Sequence, residues 1–192
     1  MQKIRFYKID LEYIKYLWKH DNRVQYSAYE SEFYNERRPY IGIILTINEL
    51  QYFAPLEHPR KSHKTLKNNP HILKINNGKH GLIAFNNMIP VNNRELIEFD
   101  FRYEDIRYQG ILRSQFIFCD NNKNNINQYA KDTYDKVVNK KIPFFVNISC
   151  NFKLLEEKCL EYPTYLESIK EVAAAIDENI HIDLEDQEEL DL

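Results

Sequence analysis

Glycine is scarce in this sequence, with four residues in 192. A loop that wraps nucleotide phosphates with its backbone needs several closely spaced glycines, so the composition argues against a Gly-rich nucleotide site. The three cysteines are an odd number without C-x-x-C spacing, which argues against a disulfide framework and a zinc knuckle. We therefore expect reduced thiols in a cytosolic protein.

Long apolar runs are also missing. The N-terminus, MQKIRFYKID, has no apolar signal-peptide core, and no long apolar span follows it. We therefore expect a protein that is neither secreted nor membrane-spanning, and a cytoplasmic location.

The formal net charge of −3 is the sum of a basic body, residues 1–176, and an acidic C-terminal segment. Residues 177–192 hold eight of the 29 acids and no Lys or Arg, so 21 acids face 26 bases elsewhere, a charge of about +5. A basic body suits a polyanion partner. We expect one domain at 1–176 and an acidic tail at 177–192. The tail is either a frayed or charged cap, or a nucleic-acid mimic that covers a basic groove.

Hydrophobic periodicity predicts strands early and helices late in the chain. Predicted strands lie at 4–9, 40–47 and 51–56, with a further strand pair around 81–91. Predicted helices follow Asp10 and Asp105 and lie at 126–140, 151–161 and 165–176, and the first carries Leu11, Ile14, Leu17 and Trp18 on one face. This order is typical of an α+β fold, here a small, mostly antiparallel sheet or barrel with helices packed against it.

The segment from Glu57 to His80, EHPRKSHKTLKNNPHILKINNGKH, combines six Lys or Arg residues with four of the six histidines. It contains no acid after Glu57. Cations that follow a strand suit a polyanion, and imidazoles among them can move protons near neutral pH. The segment therefore predicts a protein that binds RNA or DNA phosphates and can cut them.

RNA cleavage without a metal needs a group that titrates near neutrality and cations that stabilise the phosphorane. These side chains occur within six residues: His58, Arg60, Lys61 and His63. Pro59 holds His58 extended, so Glu57 and His58 are expected to point to opposite sides of the chain. We assign proton transfer to His58, while His63 either transfers a second proton or holds a phosphate.

A zinc site is the alternative use of these histidines. The gaps between His58, His63, His71 and His80 are irregular, and no Cys or carboxylate stands at ligand spacing. We therefore expect neither a metal nor another cofactor.

Six separated stretches resemble one known family. They are YIKYL (13–17), RRPYIGIIL (37–45), YFAPLEHPRKSHKTLKN (52–68), GLIAFNNMIPV (81–91), LRSQFIF (112–118) and CNFKLLEEK (150–158). In this order they resemble the ToxN/AbiQ family of bacterial endoribonuclease toxins, from type III toxin–antitoxin and abortive phage infection systems. The resemblance covers most of residues 4–162.

The resemblance implies a compact, twisted antiparallel sheet or barrel similar to that of the MazF/Kid toxins, with peripheral helices. It also implies metal-independent RNA cleavage that leaves a 2′,3′-cyclic phosphate and a 5′-hydroxyl. The implied inhibitor is a small, repeat-encoded RNA pseudoknot held in basic grooves, in some cases within a closed toxin–RNA ring. Neither a protein antitoxin nor a membrane is implied.

By position, the family's basic residue before the Ile-Gly strand corresponds to Arg38. The family loop after Ala-Pro-Leu usually reads Thr-Ser-Pro-Lys or Ser-Ser-Pro-Arg, whereas this chain has Glu57, His58, Pro59 and Arg60. His58 therefore stands where the family has its important Ser. The candidate catalytic residues are Arg38, Glu57, His58, Arg60 and His63. The candidate RNA-binding residues are Tyr13, Tyr34, Arg37, Lys61, Lys64, Lys67, Asn68, Arg113 and Gln115.

The change from Ser to His leaves two readings. In the leading hypothesis His58 takes over the acid–base task, which imidazole performs better than a hydroxyl at neutral pH. In the alternative the site is weakened, and the protein is an RNA-binding defence sensor on the same scaffold. A metal-dependent nuclease is the third hypothesis, which a chelator would distinguish.

Overall fold

The computed structural model describes residues 4–28, 38–67 and 69–190, with side chains up to residue 171 except that of residue 43. Within this part of the chain, seven strands form an antiparallel sheet. They are β1 (Arg5–Ile9), β2 (Tyr40–Ile47), β3 (Leu50–Glu57), β4 (Ile72–Lys74), β5 (Leu82–Ala84), β6 (Ile89–Val91) and β7 (Leu96–Glu98). The strand order is β4-β5-β3-β2-β1-β7, and β6 also pairs with β3.

Strand β3 pairs along both of its edges. On one edge it pairs with β2, from Tyr40 opposite Pro55 to Ile47 opposite Leu50. The turn between them places Asn48 and Glu49 at positive φ, as a two-residue hairpin turn requires. On its other edge β3 pairs with β6 and then with β5.

The sequence predicted that two strands around residues 81–91 would pair with each other, and this pairing is wrong. The two strands exist as β5 and β6, but each pairs with β3 and not with the other. The physical reason is length, because eight residues of β3 offer room for two three-residue strands, with the turn Phe85–Asn87 between them. Strands β4 and β7 were not predicted.

Helices cover most of the second half of the chain, as predicted. The described helices are α1 (Leu11–His20), α2 (Lys61–Thr65), α3 (Ile106–Asn121), α4 (Lys123–Tyr134), α5 (Pro143–Ile148) and α6 (Phe152–Leu190). A π-helical turn, Asp135–Asn139, follows α4. Two helices predicted at 151–161 and 165–176 are one element, α6, which includes Pro163. The predicted α+β class, an antiparallel sheet with peripheral helices, is confirmed.

Helix α1 begins as predicted, with the Asp10 carboxylate accepting a hydrogen bond from the Tyr13 amide at 3.0 Å. Its buried face differs from the prediction and consists of Tyr13, Ile14, Tyr16 and Leu17. Tyr13 is completely buried, and its hydroxyl donates a hydrogen bond to the Pro90 carbonyl oxygen at 2.7 Å.

An acidic side chain is buried within the aromatic core. The Glu156 carboxylate accepts hydrogen bonds from the hydroxyls of Tyr52 and Tyr134, at 2.8 and 2.6 Å, and from Lys153. Burial and the neighbouring carboxylate raise the pKa of both Tyr hydroxyls. Phe152 stacks on Tyr134 with ring centroids 5.7 Å apart. These contacts join the sheet to the start of α6.

The chain divides into two compact units, Met1–Cys159 and Leu160–Leu192. The first unit contains the sheet, and the described part of the second is helical. The expected domain boundary at residue 176 stays a prediction. The three cysteines are buried free thiols. None of the described helices combines the length with the apolar character that a membrane-spanning helix needs.

Candidate functional site

A cleft of about 670 Å³ opens where β3 ends. Its lining comes from three parts of the chain: Gln25; then Arg38, Pro39, Leu56, Glu57, His58 and Arg60; and finally Asp105, Arg107, Tyr108 and Ile111. The β2–β3 hairpin explains the middle group, because antiparallel pairing brings the residues before β2 beside those at the end of β3. The Leu56 amide donates to the Pro39 carbonyl oxygen at 2.9 Å. Arg38, Glu57, His58 and Arg60, all predicted catalytic residues, therefore line one cleft.

Gln25 connects two of these residues. Its side-chain amide donates to Oε1 of Glu57 at 3.1 Å, and its backbone carbonyl oxygen accepts from Nη1 of Arg38. The same amide lies 3.4 Å from Oδ1 of Asn87, whose own amide donates to the Arg23 carbonyl oxygen at 2.8 Å. A continuous set of hydrogen bonds thus holds the guanidinium and the carboxylate in the cleft.

His58 lies on the chain that leaves β3, beside Pro59. Partial burial, and secondly the positive charge of Arg60, lower the pKa of the His58 imidazole below its usual value. The ring centroid of His58 is 5.5 Å from that of Tyr108. A lowered pKa keeps the imidazole unprotonated at neutral pH, which is the form that accepts a proton.

Glu57 and His58 both line the cleft, although the sequence predicted that they would point to opposite sides of the chain. The prediction assumed that the strand geometry continues through both residues. The strand ends at Glu57, so the alternation of side chains ends there as well.

His63 lies in α2 behind Glu57. Its Nε2 is 3.4 Å from Oε2 of Glu57, and only 5% of the residue is exposed. Among the described residues, none forms a hydrogen bond with its Nδ1. Because His63 is buried, its contact with Glu57 is better suited to holding the carboxylate than to meeting a substrate directly.

Residues 75–81 form a loop beneath the end of β3, and this loop depends on two glycines. Gly78 and Gly81 have φ of +81° and +89°. A Cβ atom on Gly81 would lie 1.9 Å from the Glu57 carbonyl oxygen, and one on Gly78 would lie 2.5 Å from the His63 carbonyl oxygen. Glycine is therefore required for this loop to pass so close to the candidate site.

The other predicted cations are exposed but do not line the cleft. Lys61 and Lys64 lie on α2, Lys67 follows it, and Arg113 lies on α3. All four are available to contact phosphates on a larger RNA. Tyr34, Arg37 and Asn68 lie outside the described residues.

Two predicted RNA contacts are wrong because the side chains are buried. Tyr13 is 0% exposed and Gln115 is 2% exposed. The Gln115 amide donates to the His80 carbonyl oxygen at 2.8 Å, so it anchors the loop beneath β3 to helix α3. Neither residue can contact RNA from its place in the core.

Sequence reasoning missed the part of the lining that comes from Gln25 and from the start of α3. Arg107 and Tyr108 combine a cation with an aromatic ring, a pairing that favours nucleic-acid binding. That signal was present in the sequence, but only tertiary packing brings these residues to the cleft. Asp105 caps α3 by accepting a hydrogen bond from the Arg107 amide at 2.9 Å.

A comparison with family models matches residues 5–160 to the model described as Toxin ToxN, type III toxin–antitoxin system. Among curated relatives, Endoribonuclease ToxN of Bacillus thuringiensis subsp. kurstaki is 29% identical over 166 residues, which cover 82% of this chain and 84% of that protein.

Solved structures show the same fold. One comes from work on selective toxin inhibition by a non-coding RNA pseudoknot in bacterial type III toxin–antitoxin systems. It has a TM-score of 0.72 and 30% identity, and covers 84% of this chain and 99% of the other. The second is AbiQ, a lactococcal anti-phage endoribonuclease of the type III toxin–antitoxin system. It has a TM-score of 0.71 and 28% identity, with coverage of 85% and 99%.

Proposed function

The chain belongs to the ToxN family of type III toxin–antitoxin toxins, and on this basis we propose that it is an endoribonuclease toxin whose active site is the cleft at the end of β3. One observation carries the assignment: Arg38, Glu57, His58 and Arg60 line a single cleft of about 670 Å³. The imidazole supplies a general base, and the two guanidinium groups supply the positive charge that stabilises the phosphorane, so metal-independent cleavage of a ribose–phosphate chain can use these groups.

In the proposed reaction His58 acts as the base. Its imidazole removes the proton from a ribose 2′-hydroxyl, and the resulting oxygen attacks the neighbouring phosphorus. The bond from phosphorus to the 5′-oxygen breaks, and that oxygen takes a proton from solvent. The products are a 2′,3′-cyclic phosphate and a 5′-hydroxyl.

The two arginines stabilise charge in this reaction. The phosphorane carries more negative charge than the starting phosphodiester, and fixed guanidinium groups bind it more tightly. The Gln25 carbonyl oxygen holds Arg38 in place, and exposed Arg60 follows the bend at Pro59. No bound metal ion is needed for these steps.

Glu57 and His63 act as a positioning pair in this proposal. The Glu57 carboxylate lies between the Gln25 amide, at 3.1 Å, and the His63 imidazole, at 3.4 Å. These contacts fix the end of β3 and therefore the start of the loop that carries His58. This role agrees with the burial of His63.

The inhibitor proposed for this toxin is a small RNA pseudoknot encoded by sequence repeats. A structural neighbour comes from work on selective toxin inhibition by a non-coding RNA pseudoknot, and another is an anti-phage endoribonuclease. The exposed lysines of α2 offer phosphate contacts outside the cleft. We propose that RNA and toxin assemble without a protein antitoxin, in a phage-defence system, and that they can alternate in a closed ring.

Cleavage of a labelled RNA by the purified protein tests this proposal. We expect cutting in EDTA at the rate seen with Mg²⁺, with 2′,3′-cyclic phosphate and 5′-hydroxyl ends. Activity that disappears with the chelator would overturn the metal-independent mechanism. RNA binding without any cleavage would favour the alternative, a defence sensor on the same scaffold.

A further inference from the structure

The cleft combines charged groups with apolar surface. The β2–β3 side presents Arg38, Glu57, His58 and Arg60. The start of α3 presents the charged Asp105 and Arg107, and beside them Tyr108 and Ile111. Tyr108 and Ile111 are three apart, so they lie on the same face of the helix. Both are partly exposed. The apolar surface of Tyr108 and Ile111, close to the cations of the same cleft, suits a nucleotide, whose base is apolar on its faces and whose phosphate is charged.

Tyr108 stands close to the proposed base. Its ring centroid is 5.5 Å from that of His58, and the two rings are tilted by 49°. A phosphate held for attack beside His58 would therefore have the base of an adjoining nucleotide within reach of the Tyr108 ring.

The start of α3 is held rigidly. The Asp105 carboxylate accepts from the Arg107 amide at 2.9 Å, and the Asp105 carbonyl oxygen accepts from the Gln109 amide at 2.8 Å. The side chain of Gln109 donates to the carbonyl oxygens of Arg102 and Glu104, at 3.0 and 2.8 Å. An aromatic ring on a fixed helix end is better placed to orient a substrate than one on a free loop.

We propose that Tyr108 is a base-stacking residue, and that its ring receives the base of a nucleotide next to the cleaved bond. This inference rests on the proposed endoribonuclease function. Single-stranded RNA is commonly recognised by splaying a base onto an aromatic side chain. Stacking at this point turns the base out of the strand and holds the adjoining ribose beside His58.

The contact is tested directly by removing a base from the substrate and the ring of Tyr108 from the protein, separately and together. The wild-type protein is first used to map a cleavage site in an RNA oligonucleotide. Oligonucleotides are then made with an abasic ribose, which keeps its 2′-hydroxyl, on either side of that bond. At one of these positions, loss of the base should lower the wild-type kcat/KM by roughly tenfold or more, the size expected for one stacked base. The same loss should change the kcat/KM of Tyr108→Ala by less than about twofold, since the ring is already gone.

Three further variants keep the test decisive. Tyr108→Phe retains the ring and should retain the wild-type dependence on the base. Tyr108→Leu keeps an apolar side chain without an aromatic face, and serves if Tyr108→Ala fails to fold. Tyr103→Ala is the matched control, because Tyr103 is 89% exposed and lies outside the cleft lining.

The outcomes separate the two proposals. Equal losses for the wild type and for the two variants without an aromatic ring, Tyr108→Ala and Tyr108→Leu, at both positions would overturn base stacking and leave the endoribonuclease assignment intact. A wild-type protein that cuts no RNA would overturn the proposed function and, with it, this inference.

Discussion

His58 is a residue at which this chain departs from the loop pattern that the resemblance implies. The resemblance places a Ser at this position, and a hydroxyl cannot accept a proton at neutral pH as an imidazole can. Partial burial and Arg60 lower the pKa of His58, so its neutral form predominates at pH 7. In the proposed mechanism this imidazole is the general base of the candidate site.

Replacement of this imidazole should remove activity without loss of the fold. We expect His58→Ala to lower kcat/KM for a mapped RNA by about 100-fold or more, the usual contribution of a general base. The unfolding temperature should stay within about 2 °C of the wild-type value, because His58 is exposed and surface changes have small effects.

His20→Ala is the matched control for this prediction. His20 is also exposed but lies at the end of α1, outside the cleft lining. A His58→Ala protein that cuts RNA at the wild-type rate would contradict the assignment of the base.

The pH dependence of cleavage should report the environment of His58. A base must be unprotonated, so kcat/KM rises as pH rises through its pKa, and the midpoint should lie below the ordinary value of 6.5.

Arg60→Gln removes one of the two causes of the lowered His58 pKa and should move the midpoint of the pH profile upward. The same change should also lower the plateau rate by an amount equivalent to about 2–4 kcal/mol of transition-state stabilisation. A midpoint that does not move in Arg60→Gln would show that the guanidinium does not act on the imidazole.

At the scale of elements, the candidate site lies at the end of β3, against which the loop of residues 75–81 packs. The Ile75 amide donates to the Gly81 carbonyl oxygen at 3.0 Å, which closes the loop. Gln115 of α3 donates to the carbonyl oxygen of His80 at 2.8 Å. Helix α3 thus contributes twice to the site, because Tyr108 lines the cleft and Gln115 anchors the loop beneath it.

A methyl group added to this loop should destabilise the protein. Gly81→Ala would bring a Cβ to 1.9 Å from the Glu57 carbonyl oxygen, at a φ of +89°. We expect the free energy of unfolding to fall by about 2 kcal/mol or more, as measured by urea denaturation. RNA cleavage should fall as well, because the strand end must move.

Gly110→Ala provides the matched substitution in α3. A Cβ at Gly110 meets nothing within 4 Å, so the change should stabilise the helix by up to about 1 kcal/mol. If Gly81→Ala and Gly110→Ala shift the unfolding midpoint equally, the predicted clash of a Cβ at residue 81 with β3 is contradicted.

For the whole molecule, the notable feature is that charge is unevenly distributed along the chain. The body has a formal charge of about +5, since 21 acids face 26 bases once the eight acids of 177–192 are set aside. The whole chain has −3. Association with a polyanion depends on this field at low salt, and salt screens it.

Deletion of residues 177–192 should strengthen non-specific RNA binding. We expect the Kd for an RNA that lacks the cleavage site to fall severalfold at low ionic strength, and the difference to shrink as salt is raised. Fluorescence anisotropy measures both effects. A tail of equal length with Asn and Gln in place of its acids should behave like the deletion. An unchanged Kd in both variants at low salt would show that the tail's charge does not act on the body.

The sequence was sufficient for one half of the candidate site. Arg38 and His58 flank two strands that were both predicted, and a hairpin with a two-residue turn brings such flanking residues together. The hairpin involves residues close in the chain, so its alternation and turn residues carry the information. Tyr13 was misassigned because its burial depends on contacts with parts of the chain that are distant in sequence, such as Pro90, whose carbonyl oxygen accepts a hydrogen bond from the Tyr13 hydroxyl.

The residues themselves therefore establish the β2–β3 hairpin, the cations that follow it, and the charge contrast between body and tail. The tertiary structure adds two neighbours of these residues: Gln25, which bonds to both Arg38 and Glu57, and Tyr108, whose ring lies beside that of His58. Hairpin pairing is a local interaction that leaves a pattern in the sequence. The docking of α3 depends on how a whole core packs, and no short stretch of the chain encodes that packing.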